Sequence, residues 1–340
     1  MFISLRDTIL LISKLTFPRI INGLKVLFSY FFSRVVKNPM MAGLPISIAI
    51  EPTTSCNLRC PECPSGLRSF TRPTGMLNAT LYEKIIKEAS LYTSYLTLYF
   101  QGEPFLHKDI NQLIKYASDQ KMYTATSTNA HYIDDQMAKD IVSSGLNRLI
   151  ISIDGTDQTT YEVYRKGGDL EKVFKASRLI NKWKKKLKAN HLSVIWQFLV
   201  VRQNEHQVDE VRALAQSYGV DKVAIKTAQV YDFEKGNDLI PTNPKYSRYR
   251  KGADGSYRLN NQLLDHCWKM WSSAVITWDG RMVPCCFDKD AAHVMGNLSS
   301  ASMYEVWYGS NYQMFRKLIL KSRKEVDICK NCTEGAKIWA

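Results

Sequence analysis

The sequence predicts an α/β fold built on a mainly parallel sheet, and two observations carry that expectation. Apolar, β-prone runs recur at ISIAIEPT (46–53), YLTLYFQG (95–102), YTATSTN (123–129), RLIISIDG (148–155), SVIWQFLVV (193–201) and KVAIKTAQV (222–230). Amphipathic stretches separate them near 80–91, 108–119, 134–145, 170–188 and 206–218. Near-continuous apolar strands alternating with helices belong to parallel sheets with right-handed crossovers. Six such units fit either a doubly wound sheet or an incomplete (β/α) barrel. A length of 340 residues holds one large domain of this kind with a smaller appendage. Hydrophobic content of 45% and charged content of 23% are ordinary for a folded chain and argue against disorder.

Each element has local signals. Asn78 and Asp134 stand where helix N-caps belong, and Gly145 and Gly219 where helices stop. Residues 231–262 turn rich in Asn, Lys, Tyr, Gly and Pro, which reads as a long loop or linker. Beyond it, AVITWDGRMVPCC reads as a hairpin turning at Asp279–Gly280, followed by a helix over roughly 301–322.

Residues 1–43 form a basic, amphipathic helical segment with six Lys/Arg and one Asp. Beyond Pro18, the apolar residues Ile20, Leu24, Leu27, Phe31 and Val35 recur every three or four positions, with Arg19, Asn22, Lys25, Ser29 and Ser33 between them. Lys14, Lys25 and Arg34 interrupt the apolar runs, so no window reaches the roughly 18 residues of a spanning helix. No small-residue cleavage site follows, which sets a signal peptide aside. Such a helix either packs on the main domain or lies in a membrane interface, through residues 1–36.

The net charge of +14 implies an acidic partner: phosphate, an anionic membrane or a negatively charged redox protein. The basic run KWKKKLK (182–188) falls on a helix and reads as a solvated face, so nucleic acid is not an expected partner.

The eight cysteines are clustered: Cys56, Cys60 and Cys63, then Cys267, then Cys285 beside Cys286, then Cys329 with Cys332. Tight clusters on an enzyme-sized chain point to metal ligation in a reduced compartment rather than disulfides. The expected location is the cytoplasm, with the amphipathic leader offering membrane association on its inner face. Three thiolates leave one coordination position open, whereas four close a structural zinc or iron–sulfur site. On a parallel α/β fold, the loop after a strand is where chemistry sits.

The Cys56-x3-Cys60-x2-Cys63 loop after the first strand resembles that of the radical S-adenosylmethionine (SAM) enzymes. The resemblance implies a partial (β/α)6 TIM-like barrel over 44–230, a [4Fe–4S] cluster held by Cys56, Cys60 and Cys63, and SAM on the fourth iron. Reductive cleavage would then give methionine and a 5′-deoxyadenosyl radical that takes hydrogen from substrate. Gln101-Gly102-Glu103-Pro104 is similar to the family's GGEP segment apart from its first residue, which implies that Gly102 and Glu103 meet the methionine amino group. Asn129, Ser152 and Asp154 match segments that contact the ribose and methionine moieties, and Arg165 is a candidate for the SAM carboxylate.

The pattern Cys267-x12-Gly280-x4-Cys285, followed by Cys329-x2-Cys332, resembles the SPASM extension of some of these enzymes, in its shortened, single-cluster "twitch" form, over 263–340. It implies a second, auxiliary [4Fe–4S] cluster on Cys267, Cys285, Cys329 and Cys332, with Cys286 spare. A zinc ribbon is the other use of four such thiols. The implied activity is oxidation or modification of a small-molecule, peptide or lipid-linked substrate. The implied electron donor is a flavodoxin or ferredoxin. The rival expectation is a non-catalytic iron–sulfur or zinc metalloprotein serving as a binding or sensor module.

Overall fold

A computed structural model describes residues 5–338. In chain order the elements begin α1 (Leu5–Ile12), α2 (Phe17–Val36), β1 (Ser47–Ile50), α3 (Pro64–Leu67), α4 (Ala79–Ala89), β2 (Tyr95–Thr97), α5 (Ile110–Asp119) and β3 (Tyr123–Thr128). Next come α6 (Asp135–Ser143), β4 (Arg148–Ser152), α7 (Gln158–Tyr164), α8 (Leu170–Lys186), β5 (Ser193–Val200), α9 (Val208–Ser217) and β6 (Lys222–Thr227). The chain continues with β7 (Tyr249–Lys251), β8 (Tyr257–Leu259), α10 (Lys269–Ser272), β9 (Ser273–Ile276), β10 (Arg281–Val283), β11 (Gly296–Asn297), α11 (Met303–Tyr308) and α12 (Ser310–Ser322). All six expected strands and the five helices between them form, and the sheet is largely parallel.

These elements divide into two compact units. The first takes the chain up to Ser55, Phe70–Ala125 and everything from Leu263 on. In it β1 is flanked by β2 and β9, both parallel, with Ser47 opposite Tyr95 on one side and Ser273 on the other. β9, β10 and β11 continue antiparallel, as the Asp279–Gly280 turn requires. Ile48, Ile50, Leu96 and Leu98 are buried in this sheet, with Ile85 and Ile86 of α4 and Leu113 and Ile114 of α5.

The second unit takes Cys56–Ser69 and Thr126–Gln262. Its β4, β5 and β6 are parallel neighbours, with Ser152 opposite Gln197. All five residues of β4 are buried, as a sheet covered on both faces demands. β7 and β8 make a small antiparallel ribbon inside the stretch expected to be loop.

Helix starts follow the side-chain chemistry. Asn78 accepts the N–H groups of Thr80 and Leu81, Asp134 that of Met137, and Ser302 forms a capping box with Glu305. Gly145 and Gly219 lie just past α6 and α9 at φ +83° and +67°, the left-handed conformation that ends helices. One expectation needs correction. The single helix over 301–322 is two, because extended Gly309 (φ −63°, ψ 161°) caps α11 and α12 at once.

Candidate functional site

The cysteine loop lies in the second unit. Cys63 is the N-cap of α3, and the chain folds back so tightly that a Cβ on Gly66 would sit 2.6 Å from the Cys60 nitrogen. Only glycine fits there. The Arg59 N–H donates to the Lys166 carbonyl at 3.0 Å. Leu58 and Cys60 are buried with Tyr164, Val201 and Val230, while Cys56 and Cys63 are half-buried. None of the eight cysteines is disulfide-bonded.

Nitrogen donors are aimed at two of the loop's sulfurs. Asn129, just past β3, places Nδ2 2.8 Å from Asn57 Oδ1 and 3.8 Å from Cys56 Sγ. Arg165, at the end of α7, places Nη1 3.9 Å from Cys60 Sγ and its Nε 2.5 Å from Asp154 Oδ2. Asp154 is fully buried two residues beyond β4, and its Oδ1 accepts the Leu199 N–H at 2.7 Å. Burial lifts the Cys60 thiol pKa, and the Arg165 charge pulls it back. Burial likewise raises the Asp154 carboxyl, opposed by Arg165 and the Leu199 N–H. Burial opposes the Arg165 charge, but Asp154 and Cys60 outweigh it and hold the guanidinium firmly protonated. Ser152 is buried at the end of β4.

Gly102 and Glu103 lie in the first unit. Gly102 has φ +74°, and a Cβ there would sit 2.2 Å from the Thr53 carbonyl oxygen, so the segment admits no side chain. The Glu103 N–H donates to the Ser55 carbonyl at 2.8 Å, and its buried carboxylate accepts the Phe105 N–H at 3.1 Å. The Gln that replaces the first Gly donates from its side chain to its neighbour's carbonyl, Phe100, at 3.0 Å and leaves this register intact.

The first unit also gathers Cys267, Cys285, Cys329 and Cys332 around one cavity, with Lys269, Arg323 and Glu334 on its wall. Arg323 Nη2 lies 3.1 Å from Cys332 Sγ, and the Glu334 N–H donates to the same sulfur at 3.3 Å. Gly335 has φ +85°, and a Cβ on it would meet Cys267 Sγ at 2.4 Å. Burial lifts the Cys329 thiol to about 11 and that of Cys285 well above its usual value. Cys286 is exposed and does not line the cavity. Among the described residues, no three His, Cys, Asp or Glu side chains stand close enough to hold a single metal ion. Four thiols with N–H donors turned on a sulfur nonetheless match the donor set of an iron–sulfur cluster.

Sequence reasoning missed several contributors. Asp265 accepts the backbone N–H of Arg323 at 2.8 Å and so positions the arginine of the thiol cavity. Arg72 and Glu51 make a buried two-pronged ion pair at 2.6 and 2.8 Å just past β1. The only available signal was a charged residue directly ending an apolar strand.

A family model of the radical SAM superfamily matches residues 50–215, and one of the SPASM iron–sulfur cluster-binding domain matches residues 267–333. Among solved structures, Streptococcus suis SuiB bound to S-adenosylmethionine superposes with a TM-score of 0.64 at 15% identity, covering 87% of this chain and 73% of SuiB. Native anSMEcpe with bound AdoMet gives 0.61 at 18% identity, over 86% of this chain and 89% of that one. BtrN in complex with AdoMet and 2-DOIA gives 0.54 at 17%, over 87% and 95%. At these identities the likeness is one of fold.

This chain belongs to the radical SAM superfamily, and its fold is the α/β arrangement of that family. Within it, the C-terminal domain is of the SPASM type. The protein is an enzyme whose cofactors are a [4Fe–4S] cluster, SAM and auxiliary iron–sulfur, which sets aside the non-catalytic binding module.

Proposed function

We propose that the protein oxidises or otherwise modifies its substrate by radical hydrogen abstraction, with Cys56, Cys60 and Cys63 as ligands of the catalytic cluster. The observation that supports this most directly is the pair of nitrogen donors, Asn129 and Arg165, turned toward Cys56 and Cys60. Donors of this kind stabilise thiolates that metal binding has deprotonated. When bound, the cluster and SAM supply a one-electron cleavage of the sulfonium that yields methionine and a 5′-deoxyadenosyl radical.

The chain's own groups bind and orient. Gly102 brings its backbone close, and Glu103 offers an anionic acceptor to an amine. Asn129 and Ser152 face the ribose and methionine moieties in this reading. Asp154 holds Arg165, whose cation offsets thiolate charge beside Cys60 and is the candidate for the SAM carboxylate. Cys267, Cys285, Cys329 and Cys332 form a closed set, which suits electron transfer rather than substrate binding. A substrate radical beside OH or NH is strongly reducing, and the second site is placed in the role of electron acceptor. The electron donor is a flavodoxin or ferredoxin drawn to the basic surface. The substrate is a small molecule, a peptide or a lipid-linked compound.

Anaerobic reconstitution tests the reading. Roughly eight irons per chain are expected from two cubane clusters, together with 5′-deoxyadenosine from SAM and dithionite. Replacing Cys56, Cys60 and Cys63 together with Ala abolishes that product. Stoichiometric zinc in place of iron, or adenosyl cleavage that survives the triple variant, overturns it. Deuterium carried from a labelled candidate substrate into 5′-deoxyadenosine identifies the substrate.

A further inference from the structure

Helix α2 turns Arg19, Asn22, Ser29, Tyr30 and Ser33 to the protein together with Val26, and most of its other apolar residues to solvent. Buried Arg19 donates to the carbonyls of Lys14, Ser90, Gln120 and Lys121 at 2.6–3.0 Å. Asn22 exchanges hydrogen bonds with Leu44, and Ser33 with Met40. Tyr30 is fully buried, hydrogen-bonded to His266 and edge-on to Trp268 and Trp271. At about 100° per residue, these side chains share one arc of the helix. Phe17, Ile20, Leu24, Phe28, Phe31 and Val35 fill the opposite arc, and Phe17, Phe28 and Val35 are 77%, 71% and 80% exposed.

A surface helix ordinarily buries such a stripe. Among the described residues, 13 of the 24 exposed large apolar side chains fall within residues 9–40, which concentrates them into an interaction surface. Its margins are cationic. Lys25 and Arg34 flank the arc, and Lys37 stands exposed at the C-cap. Asp7, the one acid among residues 1–50, is buried against the Tyr123 hydroxyl.

The charge selects the occupant. A second copy meeting this face about a two-fold axis would set identical cationic margins against each other. Among the described residues, no helix is long and apolar enough to cross a membrane. The polar contacts of Arg19, Asn22 and Tyr30 hold α2 flat on its own unit. We propose that α2 lies in the interface of an anionic lipid bilayer, its phenyl and alkyl groups among the acyl chains and Lys25, Arg34 and Lys37 at lipid phosphates. The proposal is independent of which substrate the enzyme uses and of the roles given to its cysteines.

Flotation of the full-length, iron-loaded protein tests it. The probes are phosphatidylcholine vesicles with and without about one-third phosphatidylglycerol, the anionic component that basic residues sense. At least about tenfold tighter binding to the anionic vesicles is expected, weakening as salt rises. Phe28→Glu with Val35→Glu lowers that binding at least about tenfold, and Lys25→Glu with Lys37→Glu removes the anionic preference. Iron content and SAM cleavage stay at the wild-type level in both. Should the glutamate pair lose iron, Phe28→Ser with Val35→Ser takes its place with the same expected loss of binding. Wild-type protein that fails to float with anionic vesicles at low salt overturns the proposal. So does a wild-type dimer that the Phe28/Val35 variants convert to monomer, since a second copy would then cover the face.

Discussion

Replacing Arg165 with Met would leave the fully buried Asp154 carboxylate without its cation, still accepting the Leu199 N–H. The pair is short at 2.5 Å, and the Asp154 side chain is 0% exposed against 16% for Arg165. Removing one partner of a buried ion pair costs about 3–5 kcal/mol, because the other charge stays desolvated. Methionine fills most of the arginine's volume, so the loss is electrostatic rather than a cavity. Part of it is relieved by protonation, since an unpartnered buried carboxyl has a raised pKa. An acid whose folded pKa lies above its unfolded value is stable at low pH and loses stability as pH rises through the folded value. The variant should therefore be worse at pH 8 than at pH 6. With two compact units in the chain, a single unfolding midpoint is a poor measure, and amide hydrogen exchange along β4 and β5 reports the effect directly. At about 1.4 kcal/mol per factor of ten, exchange should quicken by roughly two to three and a half powers of ten at pH 8. Adding Asp154→Asn should restore most of the protection. A change below about tenfold, or a double variant no better than the single one, would refute the account of this pair.

His131 offers a second pH effect. Its Nδ1 faces the Asn129 carbonyl at 2.8 Å and its Nε2 accepts the Asp169 N–H at 2.8 Å, an arrangement that suits neutral imidazole. Burial lowers its pKa against the Asn129 carbonyl and Asp169, with Lys172 and Arg165 adding to the fall. Stability is therefore complete above the ordinary value of about 6.5 and is lost as pH falls below it. Protection at the start of α8, corrected for the intrinsic pH dependence of amide exchange, should fall from pH 7 to 5, and His131→Gln should flatten that dependence. Gly102→Ala should destabilise by at least about 2 kcal/mol through left-handed strain and the collision with the Thr53 carbonyl. Unchanged exchange of the Glu103 amide, which bonds the Ser55 carbonyl, in the iron-loaded protein would contradict it. Cys285→Ala should lose about four irons, one cubane, while Cys286→Ala retains them all. Equal losses from the two variants would show that the spare thiol had been wrongly chosen.

Strands and helices were legible because burial on two faces writes long apolar runs and because Asn78 and Asp134 announce helix starts in their own chemistry. Short elements escaped. α7 and the β7–β8 ribbon are held by tertiary contacts, and a three-residue strand carries no period to detect. The split at Gly309 was hidden because α11 and α12 are both amphipathic and nothing but one glycine lies between them. Of the site, the thiols were legible through spacing, which reports a loop that returns on itself. Arg323 and Asp265 were not, since 58 positions separate them in sequence and their partnership exists only in the fold. Helix α2 was found by period, yet its orientation was not. Periodicity locates two faces and is silent on which one the protein keeps.

That orientation has a practical consequence. Trimming the greasy leader is an obvious way to make such a protein better behaved, and here it should do the reverse. Without residues 1–36 the carbonyls of Ser90, Gln120 and Lys121 lose the guanidinium that caps them, and the indoles of Trp268 and Trp271 lose their cover. Trp268 is bonded through its N–H to Gly335, the residue pressed against Cys267, so the damage runs straight to a sulfur ligand of the proposed second cluster. A shortened version should come off the column stickier and paler brown than the whole chain.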